Sequence, residues 1–294
     1  MIYTLTLNPS LDYLLDTPLF EVGKTNRSKS ESLHFGGKGI NVSYILKQLG
    51  KDSVCLGFTA GFTGEHLCEL IEREGIKTDF IELTFGETRI NVKIKGDDIT
   101  EVNAKGPEIS KDDISALYLK LDKLSSGDIL ILAGSVPSGF DGIYSEIMER
   151  LSGKGISTIL DTSGKKLIDC LKYKPFLIKP NIHELSEIMG CELSTDEEII
   201  LAGEHLRKLG AVNVLVSMGN KGAILIDEFG KTHKAEPLKI TPVSTVGAGD
   251  SMVAGFLAGL DNGYEYALKL GNACGAATAM CKVLADKELI ESLM

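Results

Sequence analysis

The sequence predicts an α/β fold: a doubly wound, mainly parallel β-sheet flanked by helices, with a small β-sheet added as a lid. Short β-rich segments alternate with helical segments along almost the whole chain. Residues 129–133 and 157–160 are apolar without alternation, as expected when helices cover both faces of a parallel sheet. Segments 12–34 and 87–104 interrupt this order. We therefore expect one domain, residues 1–294, whose lid is formed by these two segments.

The main sheet is predicted to contain six strands, at residues 2–7, 53–58, 129–133, 157–160, 176–178 and 212–216. Helices are predicted between them where apolar residues recur every three or four positions. The helix that follows Ser110 has such a face. The helix that follows Thr195 opens with the capping-box spacing Thr195-x-x-Glu198, and we expect it to end at Gly210.

The lid is predicted because the spacing of apolar residues changes from a helical period to an alternation with a period of two. Residues 88–95 alternate between polar and apolar side chains, and the alternation resumes at residues 99–102 after Gly96-Asp97-Asp98. This pattern indicates a β-hairpin with one solvated face. Short β-like segments at 13–15 and 30–33 are assigned to the same small sheet. Because an exposed sheet edge favours pairing with another chain, we expect a homodimer through this sheet.

Composition and charge exclude several classes of protein. The chain of 294 residues has 31 basic and 41 acidic side chains, hence a net charge of −10, which argues against binding nucleic acid. It has no charged leader followed by a long apolar run, so we expect no membrane span and a cytoplasmic location. Six cysteines without a Cys-x-x-Cys pair predict reduced thiols rather than a zinc site.

Four common catalytic motifs fail on single residues. Met252 occupies the third glycine position of a dinucleotide fingerprint, and Leu225 occupies the first glycine position of a P-loop. Glu187 replaces the second histidine of a zinc-protease helix, and the segment around Ser135 lacks the Gly-x-Ser-x-Gly spacing of α/β-hydrolases. The sequence therefore does not favour these four classes of enzyme.

A glycine turn, Gly247-Ala248-Gly249-Asp250, opens a helical segment near the C-terminus. Glycines allow close approach to a ligand, and the free N–H groups and dipole of a helix N-terminus favour negative charge. Asp250 is placed to accept a proton from a hydroxyl group, and we expect the helix N-terminus to lower its pKa. The alternative is a closely packed helix with Asp250 as an N-terminal charge.

A second glycine-rich segment, Gly36-Gly37-Lys38-Gly39-x-Asn41, also precedes a helix. Its glycines allow close approach to a polar ligand, while Lys38 and Asn41 supply hydrogen-bond donors. Taken alone, this segment is equally consistent with a flexible loop.

The third motif, Lys179-Pro180-Asn181-Ile182-His183-Glu184, follows the strand at 176–178, and ligands of open α/β sheets bind at the carboxyl ends of strands. Asn181 and Glu184 suit magnesium-bound water and phosphates. The alternative is that Asn181 is a plain helix N-cap and Glu184 completes it.

Together and in this order, the three motifs resemble those of the ribokinase-like sugar kinases, specifically the phosphofructokinase B group. The similarity extends from Asn8-Pro9-Ser10-Leu11-Asp12 to the helical segment 271–277. Segments 86–94 and 176–181 look most like the bacterial 1-phosphofructokinases, and next like tagatose-6-phosphate kinases. The resemblance implies a ribokinase-like fold and Mg²⁺-assisted, ATP-dependent phosphorylation of D-fructose 1-phosphate to D-fructose 1,6-bisphosphate. Tagatose 6-phosphate kinase, 6-phosphofructokinase and a non-catalytic sugar-phosphate sensor are the alternatives.

The family pattern also implies a role for each matching residue. Asp250 would be the catalytic base, and the preceding turn would stabilise the transferred phosphoryl group through Gly247, Ala248 and Gly249. The sugar and its phosphate would be held by Asp12, Arg27, Gly36, Gly37, Lys38, Asn41, Arg89 and Asp250. The nucleotide would be bordered by Lys179, Asn181, Ser217, Gly219, Gly222, Gly249 and Asn272. Glu184 would order magnesium through water.

The chain departs from the family pattern at one position. Many relatives have Asp-Thr ahead of Gly-Ala-Gly-Asp, and that Asp is associated with a monovalent-cation site. This chain has Ser244-Thr245 there. The resemblance therefore leaves potassium dependence open. It does imply that the small sheet closes over the sugar and excludes water.

Overall fold

A computed structural model of the chain describes residues 1–96 and 99–294. The tip of the predicted hairpin, Asp97-Asp98, lies outside the described residues. The strands are β1 Ile2–Thr6, β2 Ser10–Asp16, β3 Ser30–Gly36, β4 Ser53–Ala60, β5 Lys77–Thr78, β6 Ile81–Leu83, β7 Arg89–Lys95, β8 Ile99–Asn103, β9 Ile129–Ala133, β10 Ser157–Asp161, β11 Leu177–Ile178, β12 Asn213–Ser217, β13 Ala223–Ile226 and β14 Thr232–Ala235. The α-helices are α1 Lys38–Gln48, α2 Gly61–Arg73, α3 Lys111–Leu121, α4 Ile143–Leu151, α5 Gly164–Leu171, α6 Ile182–Met189, α7 Asp196–Leu209, α8 Ala248–Gly259, α9 Tyr264–Ala279 and α10 Lys287–Ser292.

The main sheet has the strand order β14-β13-β12-β11-β10-β9-β1-β4-β5, and β6 also pairs with β4. Its pairs are parallel except β12–β13 and β13–β14, which form an antiparallel edge. This mainly parallel sheet and the separate small sheet confirm the predicted fold class. The sequence reading missed β5, β6, β13 and β14, of which β5 and β6 are only two and three residues long. Strands β13 and β14 have four residues each, which is too short to show a clear alternation of polar and apolar residues.

Both faces of the main sheet are buried, which explains why its central strands do not alternate. In β9, Leu130 and Leu132 belong to one apolar cluster, whereas Ile131 and Ala133 belong to another. Helices α3, α4 and α7 contribute to the first cluster, and helices α1, α8 and α9 to the second. These four side chains are 0% exposed, so each of the four positions favours an apolar residue.

The predicted boundaries of α7 are confirmed. The Thr195 hydroxyl accepts a hydrogen bond from the N–H of Glu198, and the Glu198 carboxylate accepts one from the N–H of Thr195. The helix ends at Gly210, whose φ of 136° favours glycine. Ser110 caps α3 through the same reciprocal arrangement with Asp113.

The small sheet has the order β3-β2-β7-β8, in which β2 and β7 are parallel and the other pairs antiparallel. Its register places Asp12 of β2 between His34 of β3 and Asn91 of β7, so alternate polar residues share one face. On the face predicted to be solvated, Arg89 and Asn91 line a cleft, and Asn91 is 7% exposed. Among the described residues, the helices are too short or too polar to cross a membrane.

Candidate active site

A cleft of about 1030 Å³ lies between the small sheet and the carboxyl ends of the main strands. The segments that follow β1, β9, β11 and β12 line it, together with Asp161 at the end of β10 and the first turns of α1, α6 and α8. The carboxyl edge is where open α/β sheets bind ligands, because loops and helix N-termini converge there. All three motifs found in the sequence contribute residues to this cleft.

The glycine turn forms the N-terminus of α8. Gly247 has a φ of 79°, in the left-handed region that favours glycine, and α8 begins at Ala248. The first intrahelical bond is from Ser251 N–H to Gly247 O, so the N–H groups of Gly249 and Asp250 precede the helical hydrogen-bond ladder. Both residues line the cleft, as an anion-binding turn requires.

The second motif, which contains Asn41, contacts the glycine turn at Asp250, although the two residues are 209 positions apart in sequence. Asn41, in the first turn of α1, donates a hydrogen bond from Nδ2 to Asp250 Oδ2 at 2.8 Å. The Asp250 side chain is therefore held by a neutral donor, with its residue 5% exposed. The alternative of a merely close-packed glycine helix does not account for this contact.

A buried carboxylate that the sequence reading missed joins the motifs. Asp161, the last residue of β10, lies 3.3 Å from Lys38 Nζ and 3.6 Å from Lys179 Nζ. Burial raises the pKa of Asp161, but the charges of the two lysines outweigh it, so the pKa is lowered overall. The position of Asp161 at the carboxyl end of an apolar parallel strand is the sequence signal that identifies it.

The glycine turn and the buried Lys179 constrain each other. A Cβ atom on Gly249 would lie 2.9 Å from Lys179 Nζ, so glycine leaves the space that the ammonium group occupies. Lys179 is itself 5% exposed. Burial lowers the pKa of Lys38, but the carboxylates of Asp161 and Asp250 more than compensate and raise it overall. Lys38 therefore stays charged beside the turn.

The expectation that the helix N-terminus lowers the pKa of Asp250 is wrong. Burial raises that pKa to about 7, and the like charge of Asp161 acts in the same direction. Lys38, the Asn41 hydrogen bond and Lys179 oppose the rise without cancelling it. A carboxyl group with a pKa near neutrality is a stronger proton acceptor than an ordinary aspartate, which suits general-base chemistry.

On the opposite wall, Asp12 is held by three donors. Its Oδ1 accepts hydrogen bonds from Ser10 Oγ at 2.8 Å and Asn91 Nδ2 at 3.0 Å, and its Oδ2 lies 2.9 Å from Lys93 Nζ. The sequence reading did not select Asn91 or Lys93. The period of two in residues 89–95 contained the signal, since it places both on the face of Arg89.

Arg89 is anchored to the backbone beside this group. Its Nε donates to the carbonyl of Asn8 at 3.1 Å, and its Nη1 donates to Asn91 Oδ1 at 3.2 Å. The guanidinium plane is thus fixed in the cleft by neutral acceptors, in a form that matches a phosphate group.

Two predicted sugar-binding residues lie elsewhere. Arg27 is exposed on the β2–β3 loop and does not line the cleft. Gly36 borders an adjoining cavity of about 170 Å³, and a Cβ atom there would lie 2.5 Å from Asp12 Oδ1. Gly36 therefore leaves room for the Asp12 carboxylate, whereas Gly37, the N-cap of α1, does line the cleft.

In the third motif, the capping interpretation is confirmed. Asn181 Oδ1 accepts hydrogen bonds from the N–H groups of His183 and Glu184, and Glu184 Oε2 accepts one from the N–H of Asn181, each at 2.9 Å. Asn181 and Glu184 nevertheless line the cleft. Within residues 1–96 and 99–294, no cluster of three or more His, Cys, Asp or Glu is arranged to hold a metal ion.

Of the remaining residues that were predicted to border the nucleotide, three line the cleft and one does not. Ser217, Gly219 and Asn272 line the cleft. Asn272 donates from Nδ2 to the carbonyl of Glu236 at 3.0 Å, which fixes its amide. Gly222 does not line the cleft, and a Cβ atom there would lie 2.1 Å from the Ala235 carbonyl oxygen. Its glycine is explained by close packing of β14.

Comparison with known proteins agrees with this geometry. A profile of pfkB family carbohydrate kinases matches residues 5–288. The chain belongs to this family. It is 43% identical over 297 residues to a 1-phosphofructokinase of Bacillus subtilis, covering 100% of this chain and 97% of the relative. It is 38% identical over 290 residues to a D-tagatose-1-phosphate kinase of Bacillus licheniformis, covering 97% and 95%.

Among solved structures, phosphofructokinase-2 from Escherichia coli in complex with substrates and products has a TM-score of 0.93 and 30% identity to this chain. The match covers 99% of this chain and 97% of that chain. The resemblance to the phosphofructokinase B group is confirmed. As a pfkB carbohydrate kinase, the chain transfers a phosphoryl group from ATP to a sugar.

The raised pKa of Asp250 predicts how activity of this pfkB kinase depends on pH. A base must be deprotonated to accept a proton, so kcat/KM is expected to fall as pH decreases through about 7 and to level off above it. Substitution Asp161→Asn removes the neighbouring negative charge, so this limb is expected to move to lower pH. Initial rates from pH 5 to 9 test both points, and an Asp161→Asn limb at the wild-type pH would contradict the assigned cause.

Proposed function

We propose that this kinase phosphorylates D-fructose 1-phosphate to D-fructose 1,6-bisphosphate. The single observation that carries the proposal is the arrangement of the cleft, in which Asp250 and its glycine turn face Asp12 and Arg89 across one cavity. A base with an anion-binding turn suits the transfer, and a carboxylate with a guanidinium suits a sugar phosphate. The 1-phosphofructokinase of B. subtilis supports this choice of acceptor.

In the proposed reaction, Asp250 accepts the proton of the C6 hydroxyl as that oxygen bonds to the γ-phosphorus of ATP and the bond to ADP breaks. Asn41 orients the carboxylate through its 2.8 Å hydrogen bond. In the turn Gly247-Ala248-Gly249, which leads into Asp250, the N–H groups of Gly249 and Asp250 would stabilise the phosphoryl oxygens, aided by Lys38. Positioning and charge stabilisation supply most of the rate enhancement for such a loose transition state.

The acceptor would lie against the small sheet. Asp12 would accept hydrogen bonds from sugar hydroxyls, Gly37 would allow close approach and Asn41 would supply a donor, and Arg89 would bind the phosphate already on the sugar. Arg27 is left out of this clamp because it is exposed outside the cleft. The small sheet would then act as a lid that excludes water and so limits hydrolysis of ATP.

ATP would lie along the wall opposite the sugar, bordered by Lys179, Asn181, Ser217, Gly219 and Asn272. Mg²⁺ fits this wall only with few protein ligands, because Glu184 Oε2 is occupied by the helix cap. Glu184 would use Oε1 to hold a magnesium-bound water, as is usual for Mg²⁺ on phosphates. The ion would neutralise charge on the transferred group.

A second acceptor is favoured by one comparison. The B. licheniformis relative is a D-tagatose-1-phosphate kinase, and tagatose 1-phosphate likewise carries its phosphate on C1. Tagatose 6-phosphate and fructose 6-phosphate place the phosphate at the other end of the sugar. A cleft with fixed Arg89 and Asp250 accepts one of these two orientations better than the other.

The acceptor proposal is tested by ADP release with fructose 1-phosphate, tagatose 1-phosphate, fructose 6-phosphate, tagatose 6-phosphate and ribose. The highest kcat/KM is expected for fructose 1-phosphate. Asp250→Asn is the control, for which we expect kcat to fall at least ~100-fold while ATP binding is retained. A higher kcat/KM for another acceptor would overturn the choice of substrate. Binding of a sugar phosphate without turnover would favour the sensor alternative.

The phosphate clamp makes a separate prediction. Arg89→Ala is expected to raise the KM for fructose 1-phosphate at least ~10-fold, because a charge-assisted contact to phosphate is lost, while the KM for ATP stays within about twofold. Arg89→Lys keeps the charge but loses the planar set of donors, so its KM for fructose 1-phosphate is expected to lie between those of the wild type and Arg89→Ala. An unchanged KM for the sugar phosphate in Arg89→Ala would place the clamp elsewhere.

We also propose that the small sheet forms a homodimer. Its edge strand β8 is exposed at all five residues, and Ile99 and Val102 are each 58% exposed. Such an edge offers unpaired backbone groups to a second copy. Light scattering of the wild type is expected to give twice the chain mass, and Val102→Lys is expected to lower it toward 31.6 kDa. A monomeric wild type would contradict this proposal.

A further inference from the structure

Asn91 is a buried residue, and both the nitrogen and the oxygen of its side-chain amide make hydrogen bonds. Its Nδ2 donates to Asp12 Oδ1 at 3.0 Å and to Ser10 Oγ at 3.1 Å, and its Oδ1 accepts from Arg89 Nη1 at 3.2 Å. The residue is 7% exposed. Nothing in the proposed reaction requires Asn91 to contact the transferred group, so its role lies in the groups that it connects.

The orientation of this amide follows from its neighbours. A carboxylate only accepts hydrogen bonds and a guanidinium only donates them, so the NH₂ must face Asp12 and the oxygen must face Arg89. The parallel register places Asn91 directly across from Asp12, while Arg89 lies two residues earlier on the same face of β7. A single side chain therefore spans the interval between these two groups.

We propose that Asn91 is a positioning residue that fixes the distance between Arg89 and Asp12 and thereby selects where the acceptor sugar carries its phosphate. The inference rests on the proposed function, in which Arg89 binds that phosphate and Asp12 binds sugar hydroxyls. With both ends held, a sugar phosphate must match one spacing to reach Asp250 in line. A phosphate on C6 instead of C1 turns the furanose ring end for end, which moves the anomeric hydroxyl on C2 away from the phosphate end and changes the hydroxyls that Asp12 meets.

The rest of the local network supports this role. Lys93 holds the other oxygen of Asp12 at 2.9 Å, and the Asn8 carbonyl holds Arg89 Nε at 3.1 Å, so each group has an outer anchor and Asn91 is the inner one. Without the inner anchor, Arg89 and Asp12 keep their charges but their separation becomes variable. Selectivity between sugar phosphates should then fall more than the ability to use ATP.

Two substitutions separate the two ends of the amide. Asn91→Leu keeps the branching and the number of side-chain heavy atoms and removes both the donor and the acceptor. Asn91→Asp keeps an acceptor for Arg89 but turns an oxygen toward Asp12, where the NH₂ had been. Thr100→Val is the matched control, since Thr100 pairs with Ile94 on the opposite face of the same sheet and is exposed.

For each variant, kcat and KM are measured with fructose 1-phosphate, fructose 6-phosphate and ATP, and thermal unfolding reports stability. Asn91→Leu is expected to raise the KM for fructose 1-phosphate about tenfold and to lower the preference for fructose 1-phosphate over fructose 6-phosphate at least ~5-fold, with the KM for ATP within about twofold. Asn91→Asp is expected to lower the same preference, and it decides the outcome if Asn91→Leu does not fold.

The proposal is overturned if the folded Asn91 variants keep the preference and the KM of Thr100→Val. It is also overturned if the KM values for sugar and ATP rise together with no change in preference, because that pattern indicates a general loss of structure. A wild type that does not prefer fructose 1-phosphate is a different result: it refutes the proposed function before any variant is compared.

Discussion

The cleft depends on one buried ionic contact, that of the Asp161 carboxylate with the ammonium groups of Lys38 and Lys179. Each lysine belongs to a different motif, and Asp161 belongs to none of them. The Asp161–Lys179 pair is buried, and removing one partner of such a pair typically costs about 3–5 kcal/mol, because a charge is left uncompensated. The contact therefore fixes how the end of β10 and the segment after β11 meet the start of α1. Asp161 also adds to the rise in the pKa of Asp250 that burial causes.

Several features of the sequence follow from this contact. Gly249 lacks a side chain because Lys179 occupies the adjacent space, and Asn41 supplies a neutral donor to Asp250 where a further cation would stabilise the ionised base. The parallel sheet makes the arrangement possible, since it delivers Asp161 and Lys179 from neighbouring strands to one edge. Fold and chemistry are coupled at this edge.

The fold was predictable because its signals are local. Apolar runs such as β9 and the capping box of α7 depend on neighbouring residues, and both were identified from sequence. The motif around Asp250 was likewise visible. Asp161, Asn91 and Lys93 were missed, because their roles depend on contacts between segments that are distant in sequence, as in the pairs of Asp12 with Asn91 and of Lys38 with Asp161. The pKa of Asp250 was misjudged for the same reason, since burial and Asp161 decide it.

The charge of the cleft explains where a phosphate group would be attracted. Its acidic side chains are Asp12, Glu101, Asp161, Glu184 and Asp250, and its basic side chains are Lys38, Arg89, Lys93 and Lys179. Each of these lysines contacts a carboxylate. Within the part of the chain that the structure describes, Arg89 alone among these cations has only neutral acceptors. An anion gains most at Arg89, where no carboxylate must be displaced. Long-range attraction from a chain with a net charge of −10 is weak, so local donors and Mg²⁺ have to supply the binding energy for ATP and a sugar phosphate.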